Sequence, residues 1–316
     1  MPLPKIIPAE RRLANEKARL LAPVERAGMA EGARLAFRAA TATLRAWRAG
    51  QDPATALTAE LRKAIPSVTD AMVGAHLSGV LWMRQRTGKH LALSLARRGQ
   101  DAQADAVDAL RKRLDLTPDE IDRIVGMYSS EAAKVIHELS DHGSEKLNAA
   151  LQDITAQGMH VREGMARMRE ALDSAGIFGT SDTPAFLVET LYRTQIQMAY
   201  GTAQWQSAQD PAIQEILWGY RYITVKDDRV RLEHAALEGT TAPKDDPIWD
   251  EIMPLNGWGC RCSVIELFSE VPAAYPPDEV EMEGRMIRPG ADEGFRVNFG
   301  KVLGGGNSPV PALGPS

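Results

Sequence analysis

The sequence predicts a mainly α-helical chain: a long helical amino-terminal region, then a small α+β domain with one short antiparallel strand pair, then a proline- and glycine-rich tail. Three observations predict this fold class. Good helix formers, chiefly Ala, Leu, Arg, Glu and Gln, dominate residues 10–208. Aromatic and β-branched residues replace them over residues 218–225, which is typical of a strand. Proline and glycine take over beyond Val271, where regular structure is not expected.

Length and composition favour two domains. The chain has 316 residues, of which 44% are hydrophobic and 25% charged, which is ordinary for a globular protein with a real core. We therefore divide the chain into a helical region for partner contacts at 1–180, an α+β domain at 181–270 and an extended tail at 271–316.

Helix starts and apolar stripes locate several helices. Thr117-Pro118-Asp119-Glu120 forms a capping box with proline at the first helical position, and Thr183-Pro184 opens another helix that runs to about Ser207. Apolar residues at i, i+4 and i+7 predict two helix faces, one with Leu147, Leu151 and Ile154, the other with Val161, Met165 and Met168, continued by Leu172. Breaks between helices are predicted at Gly88, Gly99, Gly143 and Gly158.

The predicted domain contains two strands around a short helix. Trp218–Val225 is the first strand, and Asp227 or Asp228 is expected to cap a helix that Gly239 ends. An acidic, proline-containing loop follows. The second strand is expected to run from Cys260 to Leu267.

Charge is unevenly distributed, although the net charge of −5 argues against a protein that coats nucleic acid over its whole surface. Residues 1–50 hold ten basic and four acidic residues, whereas residues 227–283 hold fourteen acidic and four basic ones. This asymmetry suggests two ends that face different partners, the alternative being solvated helix faces. The longest apolar stretch, Ala71–Met83, is too short to span a membrane, and the first residues lack a signal-peptide pattern, so we expect a cytoplasmic location before assembly.

The cysteine pair suggests a metal site. In extended backbone, Cys260 and Cys262 point to one face, whereas a disulfide between them would close a strained ring, which a cytosolic setting disfavours further. His234 faces inward on the predicted short helix. With one carboxylate, these side chains would complete a tetrahedral zinc site, and the candidate ligands are His234, Cys260, Cys262 and Asp228.

A purely structural interpretation of the same residues remains open. An inward histidine is often a hydrogen-bonded core residue, and free cysteines often pack as small hydrophobic groups. His234 would then hold the loop through a backbone group or Asp228. A structural zinc ion is the only cofactor that the sequence suggests.

The runs DDRVRLEH, DDPIW and PLNGWGCRC resemble, in this order, the carboxy-terminal domain of the phage Mu protein F-like minor head proteins, a head-morphogenesis family that includes the minor head protein of phage SPP1. The resemblance covers about residues 185–300, and Asp292–Gly300 is similar to the family's closing motif except that Phe299 replaces a proline. Many relatives place a histidine shortly before Cys-Arg-Cys, where this chain has Asn256. The matching positions are Arg193, Thr194, Asp228, Arg229, Arg231, His234, Gly239, Pro254, Cys260, Arg261 and Cys262.

The resemblance implies a structural protein rather than an enzyme. It implies a minor capsid protein of a tailed bacteriophage that acts in procapsid assembly with the portal, the scaffold and the major capsid protein. Packaged DNA is a further partner, and the expected location is the virion head at the portal vertex, reached from the host cytoplasm.

Two other functions are kept as alternatives. A metal-dependent hydrolase or nuclease would use His234, Cys260 and Cys262, with Asp227, Asp228 or Glu233 as further ligand or base, although H-E-x-x-H, P-loop and G-x-S-x-G motifs are absent. A DNA-binding adaptor would use residues 1–50 and a second basic cluster. That cluster consists of Arg84, Arg86, Lys89, Arg97, Arg98, Arg111, Lys112 and Arg113.

Overall fold

The computed structural model describes residues 5–97, 115–177 and 186–304. The helices are α1 (Pro8–Arg48), α2 (Pro53–Arg62), α3 (Ile65–Arg97), α4 (Pro118–Gln157), α5 (Val161–Ser174), α6 (Phe186–Ala208), α7 (Pro211–Gln214), α8 (Leu232–Ala235), α9 (Ile248–Ile252) and α10 (Phe299–Gly304). The strands are β1 (Gly219–Ile223), β2 (Thr241–Pro243), β3 (Ser263–Leu267), β4 (Val280–Met282) and β5 (Arg285–Ile287). Outside the described residues lie the predicted helix start at Thr183-Pro184, Gly99, the tail beyond residue 304, and Arg98, Arg111, Lys112 and Arg113 of the basic cluster, together with the side chains of Lys89 and Arg97.

The predicted fold class is confirmed: a long helical region precedes a few short antiparallel strands. The two predicted strands pair as β1 and β3, from Gly219 opposite Leu267 to Ile223 opposite Ser263. β2 adds to the other side of β1, so that the sheet order is β2-β1-β3. A separate two-stranded ladder of β4 and β5 lies in what was expected to be an extended tail. No described helix is both apolar enough and long enough to cross a membrane.

The chain divides into two compact units, and each is assembled from separate stretches of sequence. The unit that contains the strands, called the sheet unit, takes the described residues of Met1–Pro23, Gly74–Arg123 and Ile196–Pro309. The helical unit takes the described residues of Val24–Val73 and Ile124–Gln195. The division of the chain at residues 180 and 270 stays a prediction about functional segments.

The helical unit buries most of the predicted apolar stripes. Leu147, Met168 and Leu172 are fully buried, but Val161 is 65% exposed because it is the first residue of α5 and precedes the packed face. The break predicted at Gly143 is wrong, since this glycine lies inside α4. A methyl group on it would come within 2.5 Å of Ile177 Cδ1, so close packing explains the glycine.

Other helix boundaries follow local signals. The capping box at Thr117 is confirmed, because its backbone N–H donates to Glu120 Oε2 over 2.7 Å. Gly158 ends α4 with a φ of 58°, a conformation that favours glycine. The break predicted at Gly88 is wrong, because α3 continues through this residue to Arg97.

Buried polar groups anchor helices to the sheet within the sheet unit. All five residues of β1 are buried. The Lys17 ammonium of α1 donates to the Val264 carbonyl over 2.9 Å, and Arg86 of α3 donates to the Glu266 carbonyl over 3.1 Å. The indole of Trp82 donates to the buried Glu266 carboxylate. These contacts fix β3, and therefore the segment that enters it, where both cysteines lie.

Candidate metal centre

His234 lies on α8, a single helical turn. The predicted cap by Asp227 or Asp228 is wrong: Arg231 is the N-cap residue and offers no side-chain cap. Asp227 instead binds the Arg261 guanidinium through two hydrogen bonds of 2.6 and 2.7 Å. Gly239 follows with a φ of 91°, and its N–H donates to the carbonyl of Tyr222 on β1. The short helix thus packs on the sheet with His234 only 1% exposed.

Both cysteines lie immediately before β3, which begins at Ser263 rather than at Cys260. They are buried and carry free thiols. Each sulfur and a ring nitrogen of His234 lie within 4.8 Å of one another, so the three side chains converge. Arg261 turns away from this cluster to Asp227, as the alternation of side chains predicts.

Hydrogen bonds set the protonation states in the cluster. Burial lowers the pKa of His234, but hydrogen bonds with Asp292 and Cys260 outweigh that effect and raise the pKa to about 9. A hydrogen bond with the Cys262 thiol and a second one with His234 hold the pKa of Cys260 well below its usual range. The pKa of Cys262 is raised, because its thiol bonds to the Cys260 sulfur and is buried. These hydrogen bonds therefore favour the thiolate form of Cys260, the form in which cysteine binds metals.

Tyr222 and Asn256 line the cluster. The Tyr222 hydroxyl bonds to the Cys262 sulfur and accepts a hydrogen bond of 3.0 Å from Asn256 Nδ2. The Asn256 side chain also donates to the Ile252 carbonyl, and its backbone N–H bonds to the Cys260 sulfur. Within the described part of the chain, Asn256 Oδ1 is buried and has no hydrogen-bond partner. A cation or water added here would satisfy that oxygen.

The donor set fits a zinc ion. Cysteine sulfur and histidine nitrogen, which lose their protons when a metal binds, are ligands that zinc prefers, whereas magnesium and calcium prefer oxygen. The structure brings His234, Cys260 and Cys262 together but leaves Asp228 exposed and outside the cluster. The carboxylate that contacts His234 belongs to Asp292, at 3.2 Å from Nε2. Sequence reasoning singled out Asp292 only as the start of the closing motif.

The other motif residues have structural roles or lie on the surface. Arg231 donates to the Trp258 carbonyl over 2.9 Å, and Pro254 belongs to the loop that leads to the cysteines. Arg229 is exposed. In the helical unit, Arg193 pairs with Glu189 at 2.9 Å and Thr194 is buried.

Comparison with known proteins relates the segment that carries this centre to one family. Residues 143–265 match the family described as Phage Mu protein F like protein. This segment, which carries His234 and both cysteines, is similar to the phage Mu protein F-like family, so the resemblance seen in the sequence is confirmed. Asp292 lies beyond the matched segment.

Two curated proteins are similar in sequence to this chain. The Mu-like prophage FluMu F protein of Haemophilus influenzae is 30% identical over 165 residues, which cover 47% of this chain and 39% of that protein. The putative capsid assembly protein F of Escherichia phage Mu is 36% identical over 75 residues, which cover 24% of this chain and 17% of that protein. The chain thus spans well under half the length of these relatives. No solved structure matches it.

Proposed function

We propose that this chain is a minor head protein of a tailed bacteriophage and acts in procapsid assembly. The observation that supports this most is the match of residues 143–265 to the phage Mu protein F-like family, together with a relative named as a capsid assembly protein. The partners we propose are the portal, the scaffold and the major capsid protein. The location we propose is the head at the portal vertex, with assembly in the host cytoplasm.

The geometry of the centre supports a structural role over a catalytic one. The exposed fractions of His234, Cys260 and Cys262 are 1%, 4% and 7%, so a metal bound there would be enclosed by protein. Closed sites of this kind stabilise folds, whereas catalytic zinc sites keep a coordination position open to substrate. The hydrolase alternative needs Asp227, Asp228 or Glu233 as a further ligand or base. Arg261 binds Asp227, and the side chains of Asp228 and Glu233 are exposed, so none of the three supports this alternative.

We also propose that His234, Cys260 and Cys262 hold a structural zinc ion. The ion would tie α8 of the sheet unit to the segment that enters β3. Metal analysis of the purified full-length chain should give close to one zinc per chain, and Cys260→Ser should remove most of it. A wild-type chain that purifies without zinc, and takes up none when zinc is supplied under reducing conditions, would contradict this proposal.

Binding of packaged DNA stays a prediction, but the second basic cluster offers less support for it than the sequence suggested. In the second basic cluster, Arg86 lies inside the sheet unit on Glu266, and Arg84 pairs with Asp115. Exposed arginines of α1, such as Arg12 and Arg19, are the better candidates for phosphate contacts.

The assembly role is tested genetically in a phage that encodes this chain. Loss of the gene should leave tails intact but reduce the yield of filled heads, and the chain supplied in trans should restore it. Among complementing variants, Cys260→Ser should restore fewer filled heads than Ser269→Ala, because Cys260 is buried in the centre whereas Ser269 is exposed. Normal heads and normal titre without the gene would contradict the proposed role.

A further inference from the structure

A carboxylate lies behind the imidazole of the candidate centre. Asp292 Oδ1 is 3.2 Å from His234 Nε2, and Asp292 Oδ2 is 3.5 Å from Nε of Arg231. His234 is hydrogen-bonded to Cys260 as well. Because Asp292 engages Nε2, Nδ1 is the ring nitrogen left to face the sulfurs.

The chain around Asp292 is held on the loop that precedes the cysteines. Its backbone N–H donates to the Asn256 carbonyl over 2.8 Å, and its own carbonyl accepts from the N–H of Phe295 over 3.0 Å. Gly257 lies directly against the carboxylate: a methyl group there would come within 2.1 Å of Asp292 Oδ2 and 3.2 Å of His234 Cε1. Glycine at this position therefore lets the carboxylate reach the ring.

We propose that Asp292 is the positioning residue for a metal on His234, Cys260 and Cys262. Its carboxylate accepts the Nε2 proton, fixes the tautomer whose Nδ1 lone pair faces the two sulfurs, and makes that nitrogen more basic. Carboxylates that orient metal-binding histidines in this way typically change metal affinity by about 10- to 100-fold. This inference rests on the zinc centre proposed above.

The contact also couples the metal to a distant segment. Asp292 follows the cysteines by some thirty residues and comes after the β4–β5 ladder. By linkage, if the Asp292 contact tightens zinc binding by a given factor, zinc binding strengthens docking of the closing motif, Asp292–Gly300, by the same factor. A metal at this centre would thus join three parts of the sheet unit: α8, the entry to β3 and the closing motif.

The test compares zinc affinities of full-length variants by competition with a chelator. Asp292→Asn keeps the size of the side chain and removes its charge, and it should weaken zinc binding 10- to 100-fold. Asp250→Asn is the matched control, because Asp250 is also paired on the surface of the sheet unit, with Lys301, and does not contact His234. Its affinity should stay within twofold of wild type. Nitrogen NMR of the imidazole should show a single Nε2–H tautomer in the zinc-bound wild type.

Three outcomes overturn the inference in different ways. Zinc binding by Asp292→Asn that equals that of wild type, at one zinc per chain, refutes the positioning role and leaves the centre standing. An Nδ1–H tautomer in the zinc-bound wild type does the same. A wild type that binds no zinc refutes the centre itself, and with it the role of Asp292.

Discussion

Replacing Gly257 by alanine tests how tightly the loop, the carboxylate and the imidazole are packed. The added methyl would lie 2.1 Å from Asp292 Oδ2 and 2.7 Å from its Cγ, so the carboxylate must move away from His234. A hydrogen bond to a charged group contributes about 1.5–3 kcal/mol. Alanine recovers about 0.4–1 kcal/mol through the unfolded chain. The net loss in the free energy of unfolding is therefore about 0.5–2.6 kcal/mol.

The assay is thermal unfolding of the metal-free full-length chain. At about 2–4 °C per kcal/mol for a unit of this size, Gly257→Ala should lower the Tm by about 1–10 °C. Gly290→Ala is the control, because nothing lies within 4 Å of its added methyl group and Gly290 also lies close to Asp292 in sequence. In an Asp292→Ala background the effect of Gly257→Ala should shrink, since the clash is gone. Equal Tm values for the Gly257→Ala and Gly290→Ala variants would refute the packing argument.

Three further predictions follow from the same contacts. Cys262→Ser should lower the Tm of the zinc-loaded chain more than that of the metal-free chain, as measured by calorimetry; equal shifts would argue against a metal ligand at this position. Since the pKa of His234 is raised to about 9 from 6.5, its contribution to stability is present below pH 6.5 and is lost as the pH rises to about 9. In metal-free protein the stability difference between wild type and His234→Gln should therefore shrink over that window in denaturant titrations, and a constant or growing difference would contradict the pKa shift. In α4, Gly143→Ala should be less stable than Gly126→Ala by about 1–3 kcal/mol, because a methyl group at 143 meets Ile177 and Leu57 while one at 126 meets nothing; equal stabilities would count against close packing at Gly143.

The parts of the fold that depend on local pattern could be predicted from the sequence. The capping box at Thr117, the end of α4 at Gly158 and the strand over 218–225 are signalled by residues adjacent in the chain. Glycine was ambiguous because it serves two purposes. Gly158 supplies a positive φ at a helix end, whereas Gly143 gives room to side chains that are distant in sequence, and only the packed structure tells the two apart.

The sequence predicted the three side chains that converge in the candidate centre, but it did not predict the carboxylate beside them. Alternation along the chain puts Cys260 and Cys262 on one face, and an inward histidine was evident from the residues around 234. Asp228, six residues before His234, was the fourth candidate ligand, yet its side chain is exposed. Asp292 replaces it as the partner of His234 through a contact between residues 58 positions apart, which spacing cannot indicate.

The sequence did not predict which charged side chains pack inside the sheet unit. Arg86 belonged to a basic cluster in the sequence, but its guanidinium lies on Glu266 within the sheet unit. Lys17 is likewise buried, and burial lowers its pKa to about 8. Both side chains donate to carbonyls of β3, so they serve as anchors between helix and strand rather than as part of a nucleic-acid surface.

Quantitative mass spectrometry of purified proheads tests the proposed function most directly. The chain should be present in gradient-purified proheads and virions at a small fraction of the abundance of the major capsid protein, and it should cross-link to the portal. Its absence from both particles, in cells where the chain accumulates, would contradict a role as a minor head protein.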